Sequence, residues 1–472
     1  MFKILFIKPH ARRGILQAIE VPLAFLYLSA YLKTYLKTDI AIDLIDLRLE
    51  KNPCQALSQK IALFQPDVTG VSILSQDKYF LTDWAVTIKK LWPETKLVIG
   101  GPGATYDYDE ILCNEQTIDC AVIGEGEKTF FNIVTAIIEK NDIFCVDGIA
   151  YFNGEGVVKN KPEPFIEDLD ELPVPDYPLV ELNRYMRFFQ LTHNIVLAEK
   201  RYLPVISSRG CPYGCFFCHN IFGKKARRRS PAHFVAEMQM LYDRYDIREF
   251  HITDDYFNSD RQRMHEILKL LIKSPMKVKL SFPNGLRSDV LTREDIVLLK
   301  KAGTYKLVVA IDSASPRIQK VINKNLDIQK ALRSIEYAKE IGIFVRGNFM
   351  IGFPGESVEE IEQTIRCALE TTLDMASFIT VVPFKNTKLR SLADDLYPDF
   401  SGYRENVWEK SCFYQSVTGY PLKRTQAIAY LRFYLPFRII KTFLNMPRKV
   451  YGITRWLIWG PQILLPHMFG RR

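Results

Sequence analysis

Apolar segments of strand type alternate with helical segments over residues 203–385, and this alternation restricts the fold more than any other feature of the sequence. Six short apolar runs occur in this part of the chain, at residues 203–206, 249–253, 278–282, 306–313, 343–351 and 376–382. Strands that alternate with helices pair in parallel. The pattern therefore predicts an α/β fold with a curved parallel sheet or partial (β/α)6 barrel, and the active site of such a barrel lies at the carboxyl ends of its strands.

Three cysteines follow the first of these strands. Cys211, Cys215 and Cys218 have the spacing C-x3-C-x2-C, and the aromatic Phe217 lies between the last two. Thiolates are the usual ligands of iron–sulfur clusters, and three of them can hold three corners of a cubane. The fourth iron is then free to bind a substrate or cofactor. A structural zinc site is the alternative; it needs four ligands, and His219 is the only nearby fourth candidate.

This loop resembles the cluster loop of the radical S-adenosylmethionine (SAM) superfamily, which has the pattern C-x3-C-x-aromatic-C. The resemblance implies a [4Fe-4S] cluster on Cys211, Cys215 and Cys218, with the amino and carboxylate groups of SAM on the open iron. One-electron reduction would then cleave SAM to a 5′-deoxyadenosyl radical. We therefore expect SAM as a cofactor and a flavodoxin or ferredoxin as the electron donor.

Polar residues recur where the predicted strands of the barrel end. The resemblance implies that the strand ends bind SAM, which gives these candidates: Phe217, Asp254, Asp255, Asn284, Arg287, Asp312, Ser313 and Arg346. It places Asp254 and Asp255 near the methionyl amine, Asp312 near the ribose or methionyl region, and Arg346 at a carboxylate or the substrate. Many relatives have Glu where this chain has Asp312, which is one methylene shorter. Taken singly, each residue is more often a strand-end cap or ion-pair partner than a ligand.

The first 150 residues contain a second alternation of strands and helices. The predicted strands are residues 3–8, 40–46, 67–74, 96–103 and 120–124. This order predicts a doubly wound, flavodoxin-like parallel sheet. Such sheets bind ligands beyond the carboxyl ends of their strands, where the candidates are Ser72, Gly100, Gly101, Gly124 and Glu125.

This region resembles the cobalamin-binding domain that precedes many radical SAM cores. The matching motifs are Pro66–Ser72, Ile99–Pro102 and Gly124–Glu127, and the resemblance implies cobalamin as a third cofactor, with glycines that let the backbone approach the macrocycle. Many cobalamin domains carry Asp-x-His-x-x-Gly. The comparable stretch around His10 lacks the aspartate, so we expect no protein imidazole on the lower face of the cobalt. A domain used only for packing or substrate contact is the alternative.

Proline and acidic residues concentrate between the two alternating regions. Residues 153–178 favour an extended connector, because proline disfavours helices and central strands, and residues 148–159 predict a hairpin. We therefore predict a cobalamin-binding domain at 1–150, a linker at 151–200, a radical SAM core at 201–390 and a helical C-terminal tail at 391–472.

The positive charge of the chain is concentrated at its C-terminal end. Residues 410–472 contain eleven Lys or Arg and no acidic residue, so subtracting them from the net charge of +9 leaves about −2 for residues 1–409. Residues 427–466 combine basic residues with Trp, Phe and Leu, as interfacial membrane helices do. A helical cap on the barrel, with Phe433, Leu435 and Phe437 buried and a break at Pro436, is an equal alternative up to residue 445. After residue 445 we favour membrane contact.

Two further patterns bear on partners and location. The basic stretch at residues 224–229 favours a solvated loop over a docking site for an anionic substrate or acidic electron donor. Six other cysteines are scattered in apolar or helical segments, as in a reducing cytosol: Cys54, Cys113, Cys120, Cys145, Cys367 and Cys412. No uncharged apolar run reaches the roughly 18 residues of a membrane span. We expect a cytoplasmic enzyme, peripheral to the inner face of the membrane, with no nucleic-acid partner.

The function that follows is modification of an unactivated carbon by methylation, cyclisation or rearrangement. Members of the resembled family include methyltransferases, an anaerobic porphyrin ring cyclase and enzymes of hopanoid lipid biosynthesis. The apolar, basic tail favours a hopanoid-like, membrane-borne substrate. Two alternatives are an RNA-modifying methylthiotransferase, for which Cys54, Cys113 and Cys120 would have to form a second cluster site, and a non-enzymatic cobalamin or redox sensor.

Overall fold

The computed structural model describes residues 1–10, 18–187, 196–403, 412–434 and 437–458. The chain divides into two compact units, unit 1 (Met1–Thr192) and unit 2 (His193–Arg472). Each unit is described by itself. The finer domain boundaries at residues 150, 200 and 390 stay a prediction.

Unit 1 is built on a seven-stranded sheet. Its strands are β1 (Phe2–Lys8), β2 (Ile40–Asp46), β3 (Val68–Ser72), β4 (Lys96–Gly100), β5 (Cys120–Val122), β6 (Ile149–Phe152) and β7 (Val157–Lys159). The order across the sheet is β2-β1-β3-β4-β5-β6-β7. The first five strands are parallel, and β6 and β7 add as an antiparallel hairpin. The predicted flavodoxin-like sheet and the predicted hairpin are both confirmed.

Helices cover both faces of this sheet. They are α1 (Leu23–Tyr35), α2 (Pro53–Phe64), α3 (Lys78–Leu91), α4 (Pro102–Asn114) and α5 (Glu127–Ile138). Alternate residues of the central strands enter two separate apolar clusters, one containing Leu5 and Ile7 and the other Ile4 and Phe6. Burial on both faces explains why these strands are continuous apolar runs in the sequence.

The segment predicted as an extended connector is part of unit 1. Residues 153–178 include β7 of the hairpin described above, and the short helix α6 (Leu182–Tyr185) follows them. Tyr177 is buried, and the carboxylate of Asp176 accepts a hydrogen bond from Ser29 Oγ at 2.6 Å and pairs with Lys33 on α1. Side-chain burial thus holds this proline-rich stretch against α1, which the local sequence pattern alone did not indicate.

Unit 2 is built on a six-stranded sheet whose neighbouring strands are all parallel. Its strands are β8 (Tyr202–Val205), β11 (Glu249–Ile252), β12 (Lys279–Leu286), β13 (Thr304–Asp312), β14 (Phe344–Ile351) and β15 (Met375–Thr380), which lie side by side in chain order. Two short strands, β9 (Ser208–Arg209) and β10 (Arg227–Arg228), form a separate antiparallel pair. The predicted six βα units of a partial barrel are confirmed.

Helices follow the strands of unit 2. They are α7 (Pro231–Tyr245), α8 (Arg261–Lys273), α9 (Arg293–Lys301), α10 (Pro316–Val321), α11 (Ile328–Glu340), α12 (Val358–Glu370), α13 (Lys388–Leu396), α14 (Phe413–Thr418), α15 (Leu422–Tyr434) and α16 (Phe437–Asn445); residues 449–458 are also helical. Side chains cap several of them: Ser230 accepts from the backbone of α7, and Ser357 and Glu360 form a capping box at α12.

Helix α15 covers the outer edge of β15. The hydroxyl groups of Tyr430 and Tyr434 each accept a hydrogen bond from a backbone N–H of β15 and donate one to the carbonyl of the same residue, at Phe378 and Ala376 respectively. Phe433 is buried. The predicted helical cap is therefore correct for α15.

The prediction of a buried Phe437 is wrong, because this residue begins α16 with 80% of its surface exposed. Leu435 and Pro436 lie outside the described residues. None of the helices in the described part of the chain has both the length and the hydropathy needed to cross a bilayer.

Candidate active site

The cysteine loop begins where β8 ends. Its two sides are joined by the pairing of β9 with β10 and by a hydrogen bond from Cys211 N to Gly223 O at 3.2 Å. Gly210 adopts a φ of +88°, and a Cβ there would collide with backbone carbonyls of residues 222–225. Glycine is therefore required for the chain to turn into the loop.

The three thiols influence one another electrostatically. Desolvation, together with the charges of Cys215 and Cys211, raises the pKa of Cys218 to about 12. Partial burial also raises the pKa of the other two thiols. The raised pKa values mean that the free loop holds its thiols in the protonated form. A bound cation would offset the repulsion between the thiolates and favour the deprotonated form that binds metal.

The arrangement does not suit a zinc ion. In the described residues, no three His, Cys, Asp or Glu side chains come close enough together to hold a single metal ion. His219 Nε2 is hydrogen-bonded to Lys385 O at 2.8 Å, away from a fourth-ligand position. A cubane cluster does not need the three sulfurs to meet at one ion, since each thiolate then binds a different iron. Of the cysteines that the methylthiotransferase alternative would need for a second cluster, Cys54 and Cys113 are exposed and Cys120 is buried.

Asp254 is committed to holding the loop. It is 2% exposed, and its carboxylate accepts hydrogen bonds from Ser207 N, Ser207 Oγ and Ser208 Oγ, each at 2.6 Å. Burial raises the pKa of Asp254, and these hydrogen bonds oppose that effect. The residue fixes the junction between β8 and the cysteine loop, and its oxygens face the protein.

Asp255 and Asn284 are the acidic and amide groups exposed at the carboxyl end of the sheet. Asp255 accepts one hydrogen bond, from Gly210 N at 3.0 Å. Asn284 Nδ2 donates to Thr253 O at 2.7 Å. Both side chains keep oxygen atoms directed to solvent beside the cysteine loop.

Arg287 joins three segments around the loop. Its guanidinium forms a two-point ion pair with Asp289, at 2.9 and 3.1 Å, and donates to the carbonyl of Lys324. The same group lies 3.9 Å from the ring centroid of Tyr213 in the cysteine loop. Its position is explained by these protein contacts.

Asp312 and Ser313 are also engaged by protein groups. Asp312 has a φ of +61° and forms an ion pair with Lys324. Ser313 is fully buried, with its hydroxyl 3.3 Å from Thr364 Oγ1 and accepting from Ser315 N. Phe217 lies against Phe353, with ring centroids 6.2 Å apart, in an apolar cluster beside β14.

Arg346 does not lie at a strand end. It is the third residue of β14, and its Nε and Nη2 donate to Ser377 Oγ at 3.2 and 2.8 Å. The sequence assignment placed it at the carboxyl end because the whole apolar run was read as one strand-end motif. The structure corrects this position.

Glu356 is a buried acidic residue that the sequence argument treated as part of a turn. Its carboxylate accepts from Gly352 N at 2.6 Å and Phe353 N at 3.0 Å, and Oε1 is buried without a partner. Burial raises its pKa to about 7. The sequence signal for this buried role was the position of Glu356 just after Gly352-Phe353-Pro354, because a carboxylate there can accept hydrogen bonds from the backbone of its own turn.

The candidates in unit 1 lie at the carboxyl ends of β3, β4 and β5. Gly100 and Gly124 are partly exposed, and a Cβ on either would make one ordinary van der Waals contact at 3.9 Å, with Val122 and Phe165 respectively. Ser72 contributes its carbonyl to Lys8 Nζ at 2.9 Å, and Glu125 accepts from Ile166 N at 3.1 Å.

Gly101 serves the protein itself. It has a φ of +93°, and a Cβ would lie 2.8 Å from Ile73 O. Glycine at this position thus lets the loop after β3 approach α4, and the assignment to macrocycle contact is not supported by its surroundings. Lys8 and Asp77 form a buried ion pair in the same loop region at 3.8 Å, which the sequence argument missed.

The basic stretch after the cysteine loop is mostly structural. Arg227 and Arg229 are buried, and Arg229 forms an ion pair with Glu237. Lys224 and Lys225 are exposed. The prediction of a solvated loop is correct for the lysines and wrong for the buried arginines, because pairing of β10 with β9 carries them into the protein.

Comparison with known proteins identifies both units. A family model of the Radical SAM superfamily matches residues 205–368, and a model of the B12 binding domain matches residues 16–134. An uncharacterised methyltransferase of Pyrococcus horikoshii is 27% identical over 468 residues, which covers 96% of this chain and 98% of that protein. The anaerobic magnesium-protoporphyrin IX monomethyl ester cyclase of Rubrivivax gelatinosus is 28% identical over 488 residues, covering 98% and 86%.

A solved structure has the same fold. The radical SAM methyltransferase TsrM of Kitasatospora setae, with cobalamin and a [4Fe-4S] cluster bound, superposes with a TM-score of 0.68 at 18% identity, over 82% of this chain and 74% of that one.

The fold and the site together define a class of two-unit α/β enzymes. In this class a doubly wound unit precedes a parallel barrel, and a three-cysteine loop of the barrel holds an iron–sulfur cluster. Within that class, the chain belongs to the radical SAM enzymes that carry a cobalamin-binding domain. Its cofactors are a [4Fe-4S] cluster, SAM and cobalamin.

Proposed function

We propose that Cys211, Cys215 and Cys218 hold the cluster and that the enzyme modifies an unactivated carbon of an apolar substrate. The observation that carries this proposal is the position of three neighbouring thiols on one loop at the carboxyl end of the unit 2 sheet. Bound in this family, the cluster and SAM supply a 5′-deoxyadenosyl radical for hydrogen abstraction, and cobalamin supplies a methyl carrier.

The surrounding residues divide into two roles. Asp255 and Asn284 present oxygens to solvent beside the loop, and we assign them to the SAM amine. Asp254, Arg287, Asp312 and Ser313 keep the loop and strand ends in place through the protein contacts described above, and Phe217 supports the loop from its apolar side. In unit 1, Gly100 and Gly124 border the surface that we assign to cobalamin, with Ser72 and Glu125 supporting it.

The reaction is methyl transfer, cyclisation or rearrangement, and the first two agree with the names of the relatives. A hopanoid-like lipid is the substrate class that best fits the tail. Phe437, Ile440 and Leu444 are 80%, 54% and 60% exposed on α16, and they lie on one face of the helix because their spacing is i, i+3 and i+7. Basic residues beside such a face favour an anionic membrane surface.

An acidic protein, a flavodoxin or ferredoxin, is the proposed electron donor. Lys224 is exposed beside Gly214 of the cysteine loop, and Lys388 Nζ lies 5.3 Å from the ring centroid of Phe216 in the same loop. Opposite charges on the donor would be attracted to this side of the loop.

Anaerobic reconstitution of the full chain tests the proposed function. Protein treated with iron, sulfide and cobalamin is expected to show cluster and corrin absorption and, after reduction, to cleave SAM. The triple variant Cys211→Ala/Cys215→Ala/Cys218→Ala is expected to lose both the cluster absorption and SAM cleavage. The matched control, Cys54→Ala/Cys113→Ala/Cys145→Ala, removes three exposed cysteines of unit 1 and is expected to keep them.

Product analysis separates the reactions. Methyl transfer yields S-adenosylhomocysteine beside 5′-deoxyadenosine, whereas cyclisation yields no methylated product. SAM cleavage by the variant that lacks all three loop thiols would refute the assignment of the cluster.

A further inference from the structure

One face of the unit 2 sheet carries several polar residues where a packed barrel would be apolar. Side chains at alternate positions of neighbouring parallel strands point to the same face, and this alternation groups six polar residues with the apolar Val308, Phe344 and Met375: His251, Ser281, Lys306, Arg346, Asn348 and Ser377. The opposite face carries buried apolar residues such as Phe250, Leu307 and Phe378, the last of which packs against Tyr430 of α15. Interiors of closed barrels are normally filled by branched aliphatic residues, so this polar inner face needs another explanation.

The inner face is partly exposed along β14 and β15. On β14 and β15, the inner residues are partly exposed and the outer ones are buried in strict alternation after Phe344. Met350 packs in the same cluster as Phe216 and Phe217 of the loop. Arg346 lies four residues before Met350, about 13 Å farther along the strand.

The strip of partly exposed inner residues from Met350 to Arg346 on β14, here called the groove, ends below Arg346. Phe344, the first residue of β14, is buried in a cluster with Val196 and Met446, against which Met375 and Trp456 pack. A ligand in the groove therefore has the cysteine loop at one end and Arg346 near the other.

The charge of the groove floor is not balanced at Arg346. Its guanidinium reaches only Ser377, which pairs in register with Asn348, so it points toward the cysteine loop. No carboxylate among the described residues forms an ion pair with it. Asn348 Oδ1 is buried without a hydrogen-bond partner. On the next strand, burial and the charge of Arg346 lower the pKa of Lys306 to about 7, against the opposing effect of Glu249.

We propose that Arg346 binds an oxyanion of the substrate, a carboxylate or a phosphate, at the floor of the barrel. Arginine binds both groups through paired N–H donors. The apolar substrate of the proposed function then carries one acidic group, and this group enters the barrel first. This inference rests on the proposed function, because the cysteine loop at the open end makes the groove an active-site groove.

Calorimetric titration of the cluster-reconstituted, SAM-loaded full chain tests the inference. The probes are octanoate and octyl phosphate, with octanol as the neutral counterpart. The acids are expected to bind and octanol to bind much more weakly; the tighter acid identifies the oxyanion. Arg346→Gln is expected to weaken acid binding about tenfold or more, because a hydrogen bond to a charged group is lost. Arg293→Gln, which removes an exposed arginine paired with Glu340, is expected to have no effect.

Two results would overturn the inference. The first is equal acid binding by wild type and Arg346→Gln. The second is a loss of SAM affinity in Arg346→Gln with acid binding retained, because that result would assign Arg346 to SAM. Should Arg346→Gln fail to fold, the variant Arg346→Lys keeps the charge and is expected to bind the acids with intermediate affinity. Acid binding by Arg346→Lys equal to that of wild type would contradict a two-point contact.

Failure of the proposed function has a different result, namely a wild-type protein that holds no cluster and does not cleave SAM. Acid binding is still measured on that protein, so the two failures are distinguished.

Discussion

Asp254 and Asp255 are adjacent in the sequence and have opposite environments. Asp254 is buried and accepts three hydrogen bonds from Ser207 and Ser208, whereas Asp255 is exposed and accepts one from Gly210. A carboxylate whose oxygens are occupied by protein donors has little capacity left for a ligand. Asp254 therefore positions the cysteine loop, and the neighbouring Asp255 is left to bind a ligand.

Replacing these aspartates one at a time is expected to separate the two roles. Asp254→Ala leaves three buried donors without an acceptor and is expected to lower the free energy of unfolding by about 3 kcal/mol or more. Asp255→Ala, the matched control, is expected to change stability little and to weaken SAM binding. Chemical denaturation and calorimetric SAM titration measure the two effects. Wild-type stability in Asp254→Ala would contradict the positioning role.

The residues of the candidate site were only partly predictable from the sequence. The thiols of Cys211, Cys215 and Cys218 were found because their spacing is local. Arg287 is also held by the carbonyl of Lys324, 37 positions away, and Asp312 is held by the side chain of the same lysine, 12 positions away. These contacts depend on the fold, so the local pattern around Arg287 and Asp312 could not reveal them. Arg346 was misplaced along its strand for the same reason: a continuous apolar run does not show where the sheet ends.

At the scale of elements, α16 presents two different faces. Thr442 is buried and donates its hydroxyl proton to Asp374 O, and Asn445 Nδ2 donates to the Asp374 carboxylate at 2.7 Å. Phe437, Ile440 and Leu444 lie on the exposed side, beside the exposed Lys441. The helix is thus attached to the barrel through these polar contacts and through Phe443, which packs in the cluster of Phe344, while Phe437, Ile440 and Leu444 stay exposed.

Sedimentation with vesicles tests this exposed side. The variant Phe437→Ser/Ile440→Ser/Leu444→Ser is expected to lose most binding to vesicles that contain anionic lipid, because each apolar side chain contributes through buried area. Raised salt is expected to weaken wild-type binding, since the basic residues act through screened charge. The control Leu63→Ser/Val86→Ser/Leu396→Ser removes exposed apolar residues elsewhere and is expected to bind normally. Unchanged binding by the α16 variant would exclude this face.

Elements were more predictable than contacts. Strands β11 to β15 and the hairpin β6–β7 followed from period and punctuation, because alternating apolar runs and glycine or proline turns are local signals. The attachment of the proline-rich segment to α1 through Asp176 was not predictable, since it depends on Ser29 and Lys33, more than 140 positions away.

At the scale of the whole molecule, the two proposed cofactor sites lie in separate units. The thiols and the groove belong to unit 2, and Gly100 and Gly124 belong to unit 1. The charge is divided as well, because residues 1–409 carry about −2 and the remainder carries the excess of basic residues.

Loading of the two cofactors is therefore expected to be independent. The Cys211→Ala/Cys215→Ala/Cys218→Ala variant is expected to lose iron and to keep cobalamin at the wild-type stoichiometry, measured by metal analysis and corrin absorption. His10→Ala is expected to leave the corrin spectrum unchanged, since the motif around His10 lacks the aspartate that supports a cobalt-binding histidine. Loss of cobalamin together with iron would show that the sites depend on each other.

The hydrogen bonds from Tyr430 and Tyr434 to β15 have a consequence for behaviour at high concentration. A parallel sheet that ends in free backbone groups offers a template on which another molecule can polymerise. Here the phenol groups already satisfy both the amide and the carbonyl of Ala376 and Phe378. The enzyme is thereby protected on this flank against intermolecular strand addition, even at concentrations that bring copies together.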